Sequence, residues 1–153
     1  MPTPIKERVD AELKDAMRAK EKLRVEVLRG MLSAFSYRRI EAGRDLSDPE
    51  LIEVVAKLVK QRGDSIAEFT KAGRQDLVEK ESAERSILLA YLPPQMSEGE
   101  IAAVVHEVLA TLPPASRNQA GAMRPLMAKL KGKADGNLIR LLVERELAAT
   151  SDR

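Results

Sequence analysis

Two adjacent prolines, Pro93 and Pro94, interrupt a chain whose apolar residues otherwise recur at helical spacing nearly from end to end. Pro94 disfavours helical geometry at Pro93, and neither ring nitrogen donates a backbone hydrogen bond. The helical chain must break there. A second pair, Pro113-Pro114, ends another helical stretch, and no segment alternates apolar and polar residues as a half-buried strand does. The pattern predicts an all-α protein in two parts: an N-terminal four-helix bundle-like unit over residues 1–92, a proline hinge over 93–96 and a small three-helix C-terminal domain over 97–153.

Within the first part, Thr3-Pro4 reads as a helix start, followed by Ile5, Val9, Leu13 and Met17 as one apolar stripe. A second helix carries Leu23, Val27, Leu28, Met31, Leu32 and Phe35 and ends near Gly43. Ser47-Asp-Pro-Glu50 has the form of a capping box with proline in the first turn. It opens a third helix whose buried face is Leu51, Val55, Leu58, Val59, Ile66 and Phe69. Gly63 is expected to interrupt that helix, at about 1 kcal/mol relative to alanine. Ala72-Gly73 closes it, and a fourth helix is predicted from Gln75 to Tyr91. In the second part, Ser97-Glu-Gly-Glu100 is another capping box, opening a fifth helix with Ile101, Val104, Val105, Val108 and Leu112. A sixth is predicted over 119–130 with Met123, Leu126, Met127 and Leu130, and a seventh over 137–149 with Leu138, Leu141, Leu142 and Leu147.

Composition removes several functional classes. The 153 residues include no cysteine and one histidine, His106, so disulfides, thiolate metal sites and two-histidine metal sites are excluded. The longest apolar run, Ile87 to Leu92, falls far short of the ~20 residues a membrane span needs. With no signal-peptide pattern, the default reading is a cytoplasmic protein with no membrane partner. No Gly-Lys-Ser phosphate loop and no nucleophile elbow is present. His106 has no nucleophile beside it in sequence, and Glu79, Glu81 and Glu84 are spaced for helix support with Lys80 and Arg85. No catalytic residue, cofactor or metal is assigned.

Charge is the sharper signal. Residues 47–92 carry 7 basic and 9 acidic side chains, whereas residues 117–140 carry six basic ones against Asp135 alone. The densest part is Met127-Ala-Lys-Leu-Lys-Gly-Lys-Ala-Asp-Gly-Asn-Leu138. Lys129, Lys131 and Lys133 fall where one helix ends, Gly132 suits the left-handed residue that closes it, and Asp135 or Asn137 suits the cap of the next. Such a corner sets cations beside free backbone donors, and Gly132 and Gly136 would permit close backbone approach by a phosphate. Lys129, Lys131, Gly132, Lys133, Asp135, Gly136 and Arg140 are the candidate RNA-contact residues. Arg124, Lys71 and Arg74 are secondary basic candidates. Against these stands the plain alternative of a solvated last turn complementing the helix dipole, with Arg74 paired to Asp76 and Arg62 to an acid across helices. With aromatics at only 3%, RNA contact would read backbone shape rather than stacked bases.

Several segments in order carry a family resemblance: Gln61-Arg62 with Ser65-Ile66, Phe69-Thr-Lys-Ala-Gly-Arg-Gln-Asp-Leu77, Glu79-Lys-Glu81, Tyr91-Leu-Pro-Pro-Gln95, Met127 to Gly136, and the Leu-rich end. The chain resembles the YqeY-like proteins, which share their tail domain with the B subunit of glutamyl/aspartyl-tRNA amidotransferase. The resemblance implies a helical protein in two parts. In that subunit the related tail reaches tRNA while catalysis lies on a different domain. A carbon–nitrogen ligase activity with glutamine as amide donor would be inherited from that subunit, not read from this chain. One departure is visible. The family usually reads Met-Gly-Lys-Val-Met around the glycine at position 121, whereas this chain reads Ala120-Gly-Ala-Met-Arg124, so Ala122 removes an expected cation.

The reading is a non-catalytic tRNA-binding or amidotransferase-associated module, with tRNA and aminoacylation or amidotransferase components as expected partners. The alternative is a protein–protein adaptor, which predicts an exposed apolar patch on a bundle face. An autonomous enzyme ranks third. The oligomeric state is left open.

Overall fold

Every long stretch of helical periodicity in the sequence is a helix in the computed structural model, which describes residues 4–151. The elements are α1 (Ile5–Arg18), α2 (Lys22–Ala42), α3 (Asp48–Lys71), α4 (Gln75–Leu89), α5 (Glu98–Thr111), a 3-10 turn (Pro114–Ser116), α6 (Gln119–Leu130) and α7 (Gly136–Ser151). No strand occurs among the described residues. The protein is all-α. The chain divides into two compact units at Leu92/Pro93, and each is described by itself.

In the first unit α1 and α2 form one helical hairpin and α3 and α4 another. Val9, Leu28, Met31 and Val55 are completely buried where they meet, with Phe35, Leu51, Val59 and Leu88 around them. Burial of each such side chain stabilises the fold by about 2 kcal/mol. The Ser47 box forms as expected: Glu50 N donates to Ser47 Oγ at 3.4 Å, and Ser47 N donates to Glu50 Oε1 at 3.1 Å. Arg44, which the sequence did not single out, adds a two-pronged pair to Glu50 at 2.9 and 2.9 Å. Those bonds hold the Glu50 carboxyl at a pKa of about 2. The expected start at Thr3-Pro4 lies partly outside the described residues, since only Pro4 is among them, immediately before α1.

Four sequence expectations are corrected. Helix α3 runs unbroken through Gly63, and nothing lies within 4 Å of where a Gly63 side chain would stand. Packing on both sides of that position sustains the helix against its one poor residue. Met17 is 49% exposed, and Ala16 is buried in its place. Steps of four advance 400°, so a stripe begun at Ile5 has drifted about 120° by Met17. Helix α4 stops at Leu89 rather than Tyr91; the last two amides turn tightly, Tyr91 N to Leu88 O and Leu92 N to Leu89 O, at 3.0 and 3.1 Å. In the second unit Met127 and Leu141 are 43% and 44% exposed, while Ile139 and Val143 are completely buried.

The start and end of the first unit are tied together. The Arg8 guanidinium stacks 4.4 Å from the Tyr91 ring centre and donates to the Ala90 carbonyl at 3.0 Å. The Tyr91 hydroxyl donates to Glu12, which also accepts from Arg24 at 3.1 Å. Between α1 and α2, Lys20 takes φ 58°, the left-handed region, as the only non-glycine to do so among the described residues. Such a side chain costs roughly 1 kcal/mol or more.

The second unit is a three-helix core: Ile101, Val105, Leu126, Ile139 and Val143 are each at most 1% exposed. Helix α5 begins with the expected Ser97–Glu100 box, both bonds at 3.2 Å. Its far end is capped by Arg117, which donates to the carbonyls of Leu112 and Ala110 at 2.8 and 3.3 Å.

Candidate nucleic-acid interface

The lysine corner is built by the end of α6 and the start of α7. Asn118 caps α6 by accepting from Gly121 N at 2.8 Å. Leu126 and Leu130 then anchor the helix in the core. The helix closes through Gly132 at φ 75°. The carbonyl of buried Leu130 accepts from Lys133 N and Ala134 N at 2.9 and 3.2 Å. Helix α7 starts at Gly136, with Ile139 N bonded to the Asp135 carbonyl at 3.1 Å. Asp135, not Asn137, is therefore the residue before the helix.

The corner is braced from outside. Gln95 Nε2 donates to the Gly132 carbonyl at 2.8 Å and to the Pro93 carbonyl at 2.9 Å. Met96 N donates to the Lys133 carbonyl at 2.9 Å. The segment after the tandem prolines thus occupies the turn's acceptor side. Sequence reasoning missed this, since no pattern links residues 37 apart.

Lys129, Lys131, Lys133, Asp135 and Arg140 are exposed, and Gly132 and Gly136 are partly covered. Lys129, Lys133, Arg140 and Arg124 make no ion pair with any described carboxylate. Asp135 is the only acid in the corner itself. Gly136 is not the open phosphate approach that the sequence suggested. A side-chain carbon there would meet Met127 Cε at 3.4 Å, so the Met127 thioether covers its bare face. Arg124 is exposed on α6, five residues before Lys129 and about 140° round the helix from it.

The secondary candidates sit elsewhere. Lys71 and Arg74 lie at the α3–α4 turn of the first unit, each against a carboxylate. Lys71 pairs with Glu68 at 3.7 Å, and Arg74 donates to both oxygens of Asp76 at 3.2 and 3.1 Å. The Arg74 bonds hold Asp76 below the usual carboxylate range. Arg62 pairs across helices with Glu81 and Glu84, both at 3.2 Å. His106 is exposed and its Nδ1 lies 2.5 Å from Glu146 Oε1, beside a groove also lined by Arg117 and Thr150. Ala122 is fully buried in the core. In this chain the position faces the core, and a lysine there would have to leave it to present a charge.

Among the described residues no three His, Cys, Asp or Glu side chains converge as a metal-binding group, and no helix is long and apolar enough to cross a membrane.

Comparison with known proteins decides the family. The sequence profile of the Yqey-like protein family matches residues 6–147. The chain belongs to the YqeY-like family. Similar proteins include "Altered inheritance of mitochondria protein 41, mitochondrial" of Lachancea thermotolerans, 45% identical over 104 residues. That match covers 66% of this YqeY-like chain and 56% of the relative. The Kluyveromyces lactis protein of the same name has the same identity and coverage. That of Pyrenophora tritici-repentis is 33% identical over 129 residues, covering 83% of the chain and 71% of the relative. The YqeY-like chain thus spans little more than half the length of the first two relatives. These names overturn the cytoplasmic expectation, because the relatives are named as mitochondrial proteins. The physical reason is simple: lack of cysteine and of a long apolar run carries no address for one compartment.

Proposed function

We propose that this YqeY-like protein is an RNA-binding module that grips the phosphodiester backbone of tRNA through its C-terminal corner, without chemistry of its own. The observation that carries this is the set of exposed cations around one braced turn. Lys129, Lys133 and Arg140 stand beside the start of α7 with no carboxylate of the described chain neutralising them. The helix dipole presents its positive end at that start, so cations and dipole act on an anion in the same sense. A rigid turn lowers the entropy of ordering on binding. Association with amidotransferase or aminoacylation components would follow from a shared tRNA.

The test is titration of unmodified tRNA at two salt concentrations, with a length-matched RNA duplex and a Lys129→Ala/Lys131→Ala/Lys133→Ala variant. The reading expects micromolar or tighter binding that prefers tRNA, with a salt slope shallower by about 2 to 3 in the variant. Equal weak binding by both proteins would remove the corner from consideration.

A second reading, a protein adaptor, is favoured by one observation. Tyr37 and Ile40, one turn apart on α2, are 71% and 80% exposed. Capture of a defined protein by wild type but not by Tyr37→Ser/Ile40→Ser, with no RNA affinity, would decide for it.

A further inference from the structure

The turn between α1 and α2 concentrates charge in a way that local stability does not explain. Lys20 sits in the left-handed region where the comparable turns use Gly43, Gly73 and Gly132. Its amide bonds Met17 O at 3.2 Å, and Glu21 N bonds Ala16 O at 3.0 Å, so the turn is well formed around a strained residue. Lys22 is the first residue of α2, where the positive end of the helix dipole disfavours a cation. The first turn of α2 has no acidic residue, and Glu21 before it makes no side-chain cap. Lys14 lies one turn back on the exposed face of α1. Arg29 reaches the same end from α2, its Nη2 4.0 Å from Met17 Sδ.

The neighbouring acids are engaged elsewhere or set apart. Asp15 pairs with Arg18 at 3.6 Å and Glu21 with Arg24 at 3.9 Å. Asp10 and Glu26 stand one turn from Lys14 and Lys22 without closing ion pairs. Lys14, Lys20, Lys22 and Arg29 therefore carry charge that no described carboxylate neutralises. Residues that break local rules with no compensating contact mark a position selected for something other than stability.

We propose that the α1–α2 turn is a second phosphodiester-binding surface, taking RNA backbone through Lys14, Lys20, Lys22 and Arg29. It deepens the RNA-module reading, but its cations all belong to the first unit. RNA fits better than an anionic membrane. A helix lying on a bilayer buries an open apolar face in it, whereas the apolar residues Ile5, Val9 and Ala16 of α1 are already buried in the core. Among the described residues of α1, Met17 is the one large apolar side chain left half-exposed beside the cations.

Lys20 makes the test clean, because glycine relieves the strain and removes the charge together. With the full chain and unmodified tRNA as probe, Lys20→Gly is expected to raise Tm yet weaken binding about threefold. Lys20→Arg should keep wild-type affinity. The set Lys14→Ala/Lys20→Gly/Lys22→Ala should lose at least tenfold, with a salt slope shallower by about 2 to 3. Unchanged tRNA affinity in that set overturns the surface, and so does a loss seen only with phosphatidylglycerol vesicles. The Lys129/Lys131/Lys133 variant separates the two sites. Loss in the corner variant alone sinks this proposal and leaves the corner standing; loss in the turn variant alone does the reverse. No tRNA binding by wild type removes both.

Discussion

The side-chain amide of Gln95 donates to the carbonyl of Gly132 at 2.8 Å, bridging 37 residues. The same nitrogen donates to the Pro93 carbonyl, so one amide fastens the segment after the prolines to the lysine corner. Gln95→Glu keeps the shape but turns a carboxylate oxygen towards two carbonyls. It is expected to destabilise the protein by about 1–2 kcal/mol. The local readout is hydrogen exchange at the Lys133 and Ala134 amides, both bonded to Leu130 O, which should quicken. Unchanged exchange there would mean that the turn holds without its brace.

Two glycines in helices should respond oppositely to alanine. Gly63 lies mid-helix in α3 with open space around it, so Gly63→Ala should stabilise by about 0.5–1 kcal/mol. Gly121 lies in the first turn of α6, where a side-chain carbon would collide with the Ser116 carbonyl. That neighbour is backbone and cannot swing away. Gly121→Ala should cost at least about 2 kcal/mol, comparable with overpacking a core. Thermal melts of both variants check the pair, and a Gly121→Ala protein as stable as wild type would refute the collision.

These contrasts show what was legible in the sequence. Both capping boxes were readable because their partners are three residues apart and each satisfies a helix-end amide. Gly43 and Gly132 as helix stops were equally local. Met17 was misplaced because a four-residue stripe drifts off a 3.6-residue face. Ile139 and Val143 were overlooked because the Leu138–Val143 run is apolar nearly throughout and has no period to read. Lys20 gave no sign, since only the backbone reveals that a lysine stands where glycine is usual. Of the corner, the cations and the left-handed glycine were legible. Its brace by Gln95 and the cover of Gly136 by Met127 were not, because both depend on how distant segments pack.

Glu84 is the one buried charged residue of the described core, at 4% exposure. Arg62 Nη1 lies 3.2 Å from its Oε2, yet that oxygen has no aligned hydrogen bond, and Lys80 stands 4.0 Å from the other oxygen. A buried carboxylate held by charge alone depends on its cation. Arg62→Met should therefore cost about 2–3 kcal/mol, and Glu84→Gln distinctly less. The double variant should recover part of the Arg62→Met loss, since the most deeply buried carboxylate is gone and only the less buried Glu81 is left without Arg62. Denaturant unfolding of the four proteins gives the cycle. Additive losses would show that Arg62 and Glu84 are not coupled.

Glu12 gives a pH prediction with a definite sign. Burial pushes its carboxyl up, but hydrogen bonds from Tyr91 and Arg8 and the charges of Arg8 and Arg24 outweigh that, and its pKa lies below the ordinary 4.5. A carboxylate depressed in the folded state contributes stability that is complete above its unfolded pKa and is lost as pH falls through the folded one. Glu12→Gln keeps the shape and removes the charge, leaving Arg8 and Arg24 without their shared partner. The variant should be about 1–2 kcal/mol less stable at neutral pH, the range for a hydrogen bond to a charged group. That deficit should begin to shrink below the ordinary carboxylate pKa, where the unfolded chain takes up the proton, and be gone below the lower folded pKa, where the folded side chain is protonated too. Melting both proteins between pH 7 and pH 3 checks this. A constant deficit across the range would assign the loss to the shape of the Tyr91 contact rather than to charge.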